Sequence, residues 1–227
     1  GGSTPLRGGE VLEVEVAGHL GVPNGATSVS LNVTAVDPTE AGYLTVWPCG
    51  SPMPTASNVN YEAHETTPNL VIVPLGDGGK VCVFSERTTG VIVDVSGFSG
   101  ATSTYVGLNP VRLLETRASA GQVNYSGAKP GAGAVVQVPI AGHGGVPAGA
   151  AGVVLNVTGV DATGAGYLTV WPCDQPMPTA SNLNLRAHET RANLVVAKPA
   201  ADGTVCIFTE RGADLLVDLG GYFPPGS

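Results

Sequence analysis

The chain has 227 residues, 43% of them hydrophobic, which is enough apolar material to build one large or two ordinary domains. Its formal net charge is −8 with only 10 basic residues, so clustered lysines and arginines that could neutralise phosphates are missing and nucleic acid is excluded as a partner. No uncharged apolar run reaches the roughly 20 residues that span a bilayer, and the first ten residues lack the pattern of a signal peptide, so we expect no membrane insertion and, if the protein is secreted, an already processed chain.

Short alternating or apolar runs, each closed by turn residues, predict seven strands in the first half of the chain. Glycines and prolines, which favour turns and loops, separate these runs. The pattern therefore predicts an all-β fold. The predicted strands cover residues 10–17, 28–36, 42–48, 56–62, 69–74, 79–85 and 90–96.

The second half repeats the first when the sequence is shifted by 124 residues. Of the 57 positions from 41 to 97, 33 are identical to the residue 124 positions later, and the match needs no gap. We therefore predict two homologous β-sandwich-like domains, at residues 1–103 and 135–227. A barrel or a trefoil-like arrangement has the same local signals.

The segment 104–134 occurs only once. Within it, residues 111–117, "VRLLETR", read as a strand, and the following "ASAGQVNYSGAKPGAGA" reads as a flexible connector. Two interpretations remain open. Either this strand serves only one half, or the chain begins inside a repeat and something else fills the gap in the first half.

The four cysteines have the same spacing in each half, which favours two disulfides within the halves, Cys49 with Cys82 and Cys173 with Cys206. Such bonds persist in oxidising compartments. Zinc is the alternative, but no Cys-x-x-Cys pair exists to begin a metal site. We predict no metal and no cofactor.

The order "NPVRLLETR", "GYLTVWPC", "PTASNLN", "GTVCIFTE" and "LLVDLGGYF" resembles a β-rich repeat module of actinobacterial secreted proteins, found beside secreted hydrolases and in phage tail proteins. The resemblance implies an extracellular accessory or adhesive role without catalysis. The opening phrase of that family reads Arg-Leu-Leu-Asp-Thr-Arg, and here Glu115 stands at the Asp position. We expect Glu115 to form a structural ion pair with Arg112 or Arg117.

Histidines and carboxylates repeat in both halves without forming a known catalytic motif. His64-Glu65 and His188-Glu189 lack the second histidine of a zinc protease helix, so a surface turn is the favoured interpretation. A glycosidase would need two carboxylates facing each other across a cleft. The repeated carboxylates are Asp37, Glu86 and Asp94, with Asp161, Glu210 and Asp218 in the second half. In its apolar strand, Asp94 is expected to bind backbone or an arginine rather than to donate protons.

The phrase "AGYLTVWPC" holds both tryptophans of the chain, one in each copy. Strand alternation places Tyr43 and Trp47 on one face and Leu44 and Val46 on the other. If the aliphatic face enters the core, the aromatic rings form an outward ledge that could stack on a sugar or cover a neighbouring subunit. If the rings form the core, a second layer must cover the aliphatic face. The same alternatives hold for Tyr167 and Trp171.

The polar phrase "TASN" is followed by a second asparagine two positions on in each copy. Alternation places Asn58 with Asn60, and Asn182 with Asn184, on one face of a strand. Amide side chains could bind sugar hydroxyls or satisfy strand edges.

Together these patterns predict a secreted, non-enzymatic cell-surface binding or adhesion protein whose partner is a polysaccharide or a cell-envelope glycan. Two copies would raise the avidity. The alternative is a structural subunit of an extracellular fibre or tail. Its copies would self-associate into filaments by β-strand addition.

Overall fold

The structure is a computed structural model that describes residues 5–19, 21–100 and 104–226. These residues contain fifteen β-strands and two short 3₁₀ turns, at Asp77–Gly79 and Ala118–Ala120, so the all-β prediction is confirmed. The described part of the chain has no helix that is both long and apolar enough to cross a membrane.

The chain divides into two compact units. The first comprises Gly1–Ser103 with Gly107–Pro110, and the second comprises Thr104–Val106 with Val111–Ser227. The single-copy segment 104–134 is therefore shared between the units rather than standing apart. The domain boundary predicted between residues 103 and 104 directly follows residues 101–103, which lie outside the described ranges.

Seven strands of the first unit form two antiparallel sheets, with the orders β1-β6-β3-β4 and β5-β2-β7. Inward side chains of both sheets share one core, which includes Leu31, Leu44, Val71 and Val83, as in a β-sandwich. The strands are β1 Val11–Glu15, β2 Ala26–Val36, β3 Gly42–Pro48, β4 Val59–Tyr61, β5 Thr67–Pro74, β6 Lys80–Ser85 and β7 Gly90–Gly100.

The second unit repeats this strand order, with the sheets β9-β14-β11-β12 and β13-β10-β15-β8. Leu155, Leu168, Ile207 and Leu215 are fully buried on strands from both sheets. Strand β8 Val106–Glu115 belongs to this unit except for Gly107–Pro110, which fall in the first unit. The other strands are β9 Ala134–Pro139, β10 Gly152–Val160, β11 Gly166–Pro172, β12 Leu183–Leu185, β13 Arg191–Ala197, β14 Thr204–Thr209 and β15 Asp214–Phe223.

Strand β8 gives the second unit a four-stranded sheet where the first unit has three described strands. It begins before the predicted strand at 111–117 and includes Pro110, which an edge strand tolerates because its outer N–H groups need no partner in the sheet. Leu113 and Leu114 are 2% and 0% exposed. Because neighbouring residues of a strand point to opposite faces, both faces of β8 are covered at its C-terminal end.

The segment after β8 was predicted to be a flexible connector, but its side chains are hydrogen-bonded to the end of that strand. Asn124 donates to the Leu113 carbonyl (2.8 Å), and Gln122 donates to the Thr116 carbonyl (2.7 Å). Val123 also pairs with Glu115 as an isolated β-bridge. Residues 122–124 are therefore bonded to the end of β8 and to Thr116 by backbone and side-chain hydrogen bonds that composition alone did not indicate.

Candidate functional site

The predicted disulfides are confirmed. Cys49 is bonded to Cys82 and Cys173 to Cys206, each across 33 positions. In both units one cysteine lies in the strand opposite the tryptophan, because Trp47 faces Cys82 and Trp171 faces Cys206 in register. Each disulfide thus lies beside an indole ring.

The aromatic phrase "AGYLTVWPC" fits neither predicted arrangement completely, because its rings lie outside the main core but its tryptophan is buried. Leu44 and Val46 are fully buried in the main core, so the rings are on the other face of the sheet, as the first interpretation requires. Trp47 nevertheless is only 5% exposed, in a small cluster with the disulfide and Phe84. The outward ledge therefore does not include the tryptophan.

A local loop covers each indole. The Trp47 Nε1–H donates to the Ser51 carbonyl and the Trp171 Nε1–H donates to the Gln175 carbonyl, both at 3.0 Å. Trp171 is 7% exposed. A ring held in this way has no free face for stacking on a sugar, so the two predicted tryptophans are structural residues in this fold.

The tyrosines of the phrase remain half-buried, and each lies beside a phenylalanine that the sequence reasoning had missed. Ring centroids are 6.0 Å apart for Tyr43 and Phe84, and 5.8 Å for Tyr167 and Phe208. Alternation from Cys82 and Cys206 would have placed both phenylalanines on this face. Burial, followed by the charge of Glu86, raises the pKa of Tyr43 above its ordinary value, which already lies well above neutral pH, so its hydroxyl stays protonated and can donate a hydrogen bond.

The first asparagine of each polar phrase satisfies the backbone of a neighbouring strand. Asn58 Oδ1 accepts from the Val46 amide (2.7 Å), and the Asn58 carbonyl accepts from Asn69 Nδ2 (2.6 Å). Asn182 accepts from the Val170 amide in the same way (2.7 Å). These two side chains therefore connect strands rather than offering a ligand surface.

The second asparagine of each phrase is more accessible. Asn60 is half-buried and Asn184 exposed, and each Oδ1 accepts a bond from a serine hydroxyl three residues earlier at 3.0 Å. In the second unit a shallow pocket is lined by Tyr167, Met177 and Ser181, among others. The accessible part of the predicted ligand site is therefore reduced to the tyrosines and the second asparagines.

The histidine phrases form exposed turns, as predicted. His64 Nδ1 is 3.0 Å from Asp37 Oδ1, and the counterpart pair His188 and Asp161 is 2.9 Å apart. All four residues have positive φ, a conformation that Asp and His adopt in turns more readily than most residues. Among the described residues no group of three or more His, Cys, Asp or Glu could hold a metal ion.

A buried ion-pair network connects β8 to β15 in the second unit. Arg112 Nε donates to Asp218 Oδ1 (2.5 Å), and Arg112 Nη1 donates to Glu115 Oε2 (2.6 Å). Arg117 Nη2 also donates to Glu115 Oε2 (2.8 Å). Glu115 thus pairs with both arginines named in the sequence analysis, and the aspartate in β15 completes the network.

The two carboxylates of the network are almost fully buried. The side chains of Asp218 and Glu115 are both 3% exposed, so their charges depend on the two arginines. Burial raises the pKa of Glu115, but hydrogen bonds and charge from Arg117, with the charge of Arg112, outweigh it and hold that pKa below its ordinary value. Glu115 is therefore ionised at neutral pH.

The residue just before β8, Tyr105, places an aromatic ring on β15. The Tyr105 hydroxyl donates to the Gly220 carbonyl (3.0 Å), and its ring packs beside Phe223 at 5.4 Å between centroids. A Cβ on Gly221 would overlap the Tyr105 ring. Glycine is required at that position because the aromatic ring lies directly on the backbone.

The corresponding edge of the first unit carries no strand among the described residues. Ile92 and Phe98 are each 50% exposed, whereas Leu216, the counterpart of Ile92, is 4% exposed. Asp94, the counterpart of Asp218, is exposed, and no described residue forms a hydrogen bond or ion pair with its carboxylate. We call this outer edge of β7, residues 90–100, the open edge.

Comparison of the chain with protein-family models, with curated proteins and with solved structures finds no match in any of the three.

Proposed function

We propose that the protein is a non-enzymatic extracellular assembly module whose first unit binds a β-strand of another polypeptide at the open edge. The observation that carries the proposal is the difference between β7 and β15. The same sheet is completed by β8 in the second unit and ends at β7 among the described residues of the first.

The open edge lacks the features that normally prevent strand pairing. Soluble proteins protect edge strands with lysine, proline or a covering segment, but the eleven residues "GVIVDVSGFSG" of β7 contain neither lysine nor proline. Their exposed side chains include Ile92 and Phe98. A long apolar edge of this kind is the surface on which strand addition operates, since backbone hydrogen bonds supply affinity and side-chain contacts supply specificity.

Two further features favour an extracellular, non-catalytic role. Both cysteine pairs are oxidised, which is typical of proteins in oxidising compartments. The repeated histidines and several repeated carboxylates have structural contacts: His64 with Asp37 in a turn, and Asp218 with Arg112 between strands. The proposal therefore assigns no catalytic step to the chain.

Association at the open edge can be tested by sedimentation velocity and electron microscopy over a range of concentrations. We expect concentration-dependent association that Ile92→Lys abolishes, because a lysine on an edge strand opposes pairing. The matched control is Leu70→Lys, which changes a 38% exposed leucine on β5, at the opposite end of the same sheet. A strictly monomeric chain at the highest concentration, or equal effects of both variants, would contradict the proposal.

Polysaccharide or envelope-glycan binding is a second candidate function. It is supported by the half-buried tyrosines that lie beside Phe84 and Phe208 in the two units, since an aromatic pair offers a flat apolar surface to a sugar ring. The test is a glycan array with the double variant Tyr43→Ala/Tyr167→Ala. Binding that survives this variant, or no binding by the unmodified chain, would refute it.

A further inference from the structure

We propose that the strand bound at the open edge carries the sequence pattern of residues 105–117: a tyrosine, an arginine seven positions later, then two leucines and an acidic residue. This inference rests on the strand-accepting function proposed above and identifies the partner by its chemistry. The partner is a separate polypeptide chain that contains this pattern.

The first requirement is the arginine. In the second unit the carboxylate of Asp218 is buried because Arg112 reaches it with two nitrogens, Nε at 2.5 Å and Nη2 at 3.3 Å. The open edge presents the counterpart carboxylate of Asp94, exposed and unpaired among the described residues. A two-nitrogen contact of this geometry is specific to the planar guanidinium, so lysine would not replace arginine well.

The second requirement is the tyrosine. The counterpart of Gly221 in the first unit is Gly97, and a Cβ built on Gly97 meets no atom of the described residues within 4 Å. The position that lies beneath the Tyr105 ring in the second unit is therefore uncovered by described residues in the first. An incoming tyrosine can occupy that space, and its hydroxyl would reach the backbone carbonyl of Ser96, the counterpart of Gly220.

The third requirement is the pair of leucines. Leu113 and Leu114 of β8 are nearly inaccessible, and Leu216 on β15 is 4% exposed, whereas its counterpart Ile92 is half exposed. Burying two leucine side chains supplies about 3–6 kcal/mol before the cost of association. An incoming Leu-Leu pair thus provides the apolar cover that the first unit lacks.

The direction of the bound strand follows from the second unit. Arg112 contacts Asp218, and the Thr116 amide donates to the Leu215 carbonyl at 3.1 Å. The two strands therefore run antiparallel. The partner strand should run antiparallel to β7, with its arginine at Asp94 and its threonine position at Val91.

The test uses the whole chain and a labelled synthetic peptide with the sequence of residues 104–117, TYVGLNPVRLLETR. Binding is measured by fluorescence anisotropy, with a scrambled peptide as the reference. We expect saturable binding of the peptide and none of the scrambled sequence. Replacing the peptide arginine by alanine should weaken binding at least about tenfold, because a charged hydrogen-bonded pair is lost.

Two protein variants test the same contacts from the other side. Asp94→Asn should weaken peptide binding by a similar factor, and Gly97→Val should abolish it by filling the space for the tyrosine. Neither change disturbs a described contact of the free chain. The matched control is Glu62→Gln, which removes one negative charge just after β4, on the other sheet of the first unit, and should leave binding unchanged.

Hydrogen exchange maps the bound peptide. Protection should rise along β7, including the amide of Val91, the counterpart of the Leu215 amide that donates to Thr116 Oγ1. Protection changes on β15 instead would show that the peptide had replaced β8, and would overturn the inference. So would absence of binding, or binding indifferent to both Asp94→Asn and Gly97→Val. If the chain still associates through β7 in the sedimentation test while this peptide fails to bind, the assembly function stands and only the partner assignment falls.

Discussion

Replacing the same aspartate in each unit should have very different effects on stability. Asp218→Asn removes the carboxylate that accepts two hydrogen bonds from Arg112 in a site that is 3% exposed. The arginine keeps its ion pair with Glu115. Losing charge-assisted bonds at a buried site costs about 2–4 kcal/mol. Asp94→Asn changes a carboxylate that is exposed and has no partner among the described residues, and should cost less than about 0.5 kcal/mol.

The two tryptophans make this comparison measurable in one chain. Each unit contains one indole, Trp47 in the first and Trp171 in the second. In a Trp47→Phe background, denaturant unfolding followed by fluorescence reports on the second unit, and in a Trp171→Phe background it reports on the first. Each aspartate variant is compared with its own background, so the cost of the tryptophan replacement cancels. The unfolding transition of each unit is fitted separately, because a two-domain chain does not unfold as a single two-state system.

Equal destabilisation by the two substitutions would refute the reasoning. It would mean that Asp94 supports the first unit without an arginine, and that the open edge is not a vacant counterpart of the β8 site. If Asp218→Asn lowers the free energy of unfolding of the second unit by less than about 0.5 kcal/mol, the buried ion pair contributes little net stability, as some buried pairs do.

Three further outcomes follow from the structure. The folded-state pKa of Glu115 is depressed, so its contribution to stability is present above its unfolded pKa and is lost as the pH falls through the folded value; an acid titration should destabilise the second unit, and Glu115→Gln should remove part of that dependence. Opening the loop between Cys49 and Cys82 by a double serine variant should cost about 3–4 kcal/mol in denaturant unfolding, given a separation of 33 residues. Asn58→Ala should cost about 1–3 kcal/mol in the same assay, because the buried Val46 amide loses its acceptor; a neutral result would show that water replaces the asparagine.

Much of the strand layout could be predicted because it depends on local pattern. The predicted strand at 42–48 has the bounds of β3, and the predicted strand at 79–85 differs from β6 only at its first residue. The cysteine pairing also followed from the repeated spacing. Alternation correctly separates Leu44 and Val46 from the aromatic face, because a strand exposes its side chains to opposite faces whatever surrounds it.

The local sequence pattern could not predict what covers each face of a strand. Trp47 lies on the aromatic side of its strand but is buried there, because the chain after Cys49 turns back and its Ser51 carbonyl accepts the indole N–H. The side-chain amide of Asn58 bonds to the Val46 amide, twelve positions away. Both arrangements are contacts between segments, which the period of one strand does not encode.

The sequence by itself determined that the chain is all-β, how its strands alternate and which cysteines pair. Only the tertiary structure decided that "VRLLETR" completes the second unit, where its arginine meets Asp218, while Asp94 in the matching strand of the first unit stays exposed. The physical reason is that the same residue in the same alternating pattern is paired or exposed according to which distant strand lies beside it. The strand that pairs with Asp218 comes from a segment that occurs only once in the chain.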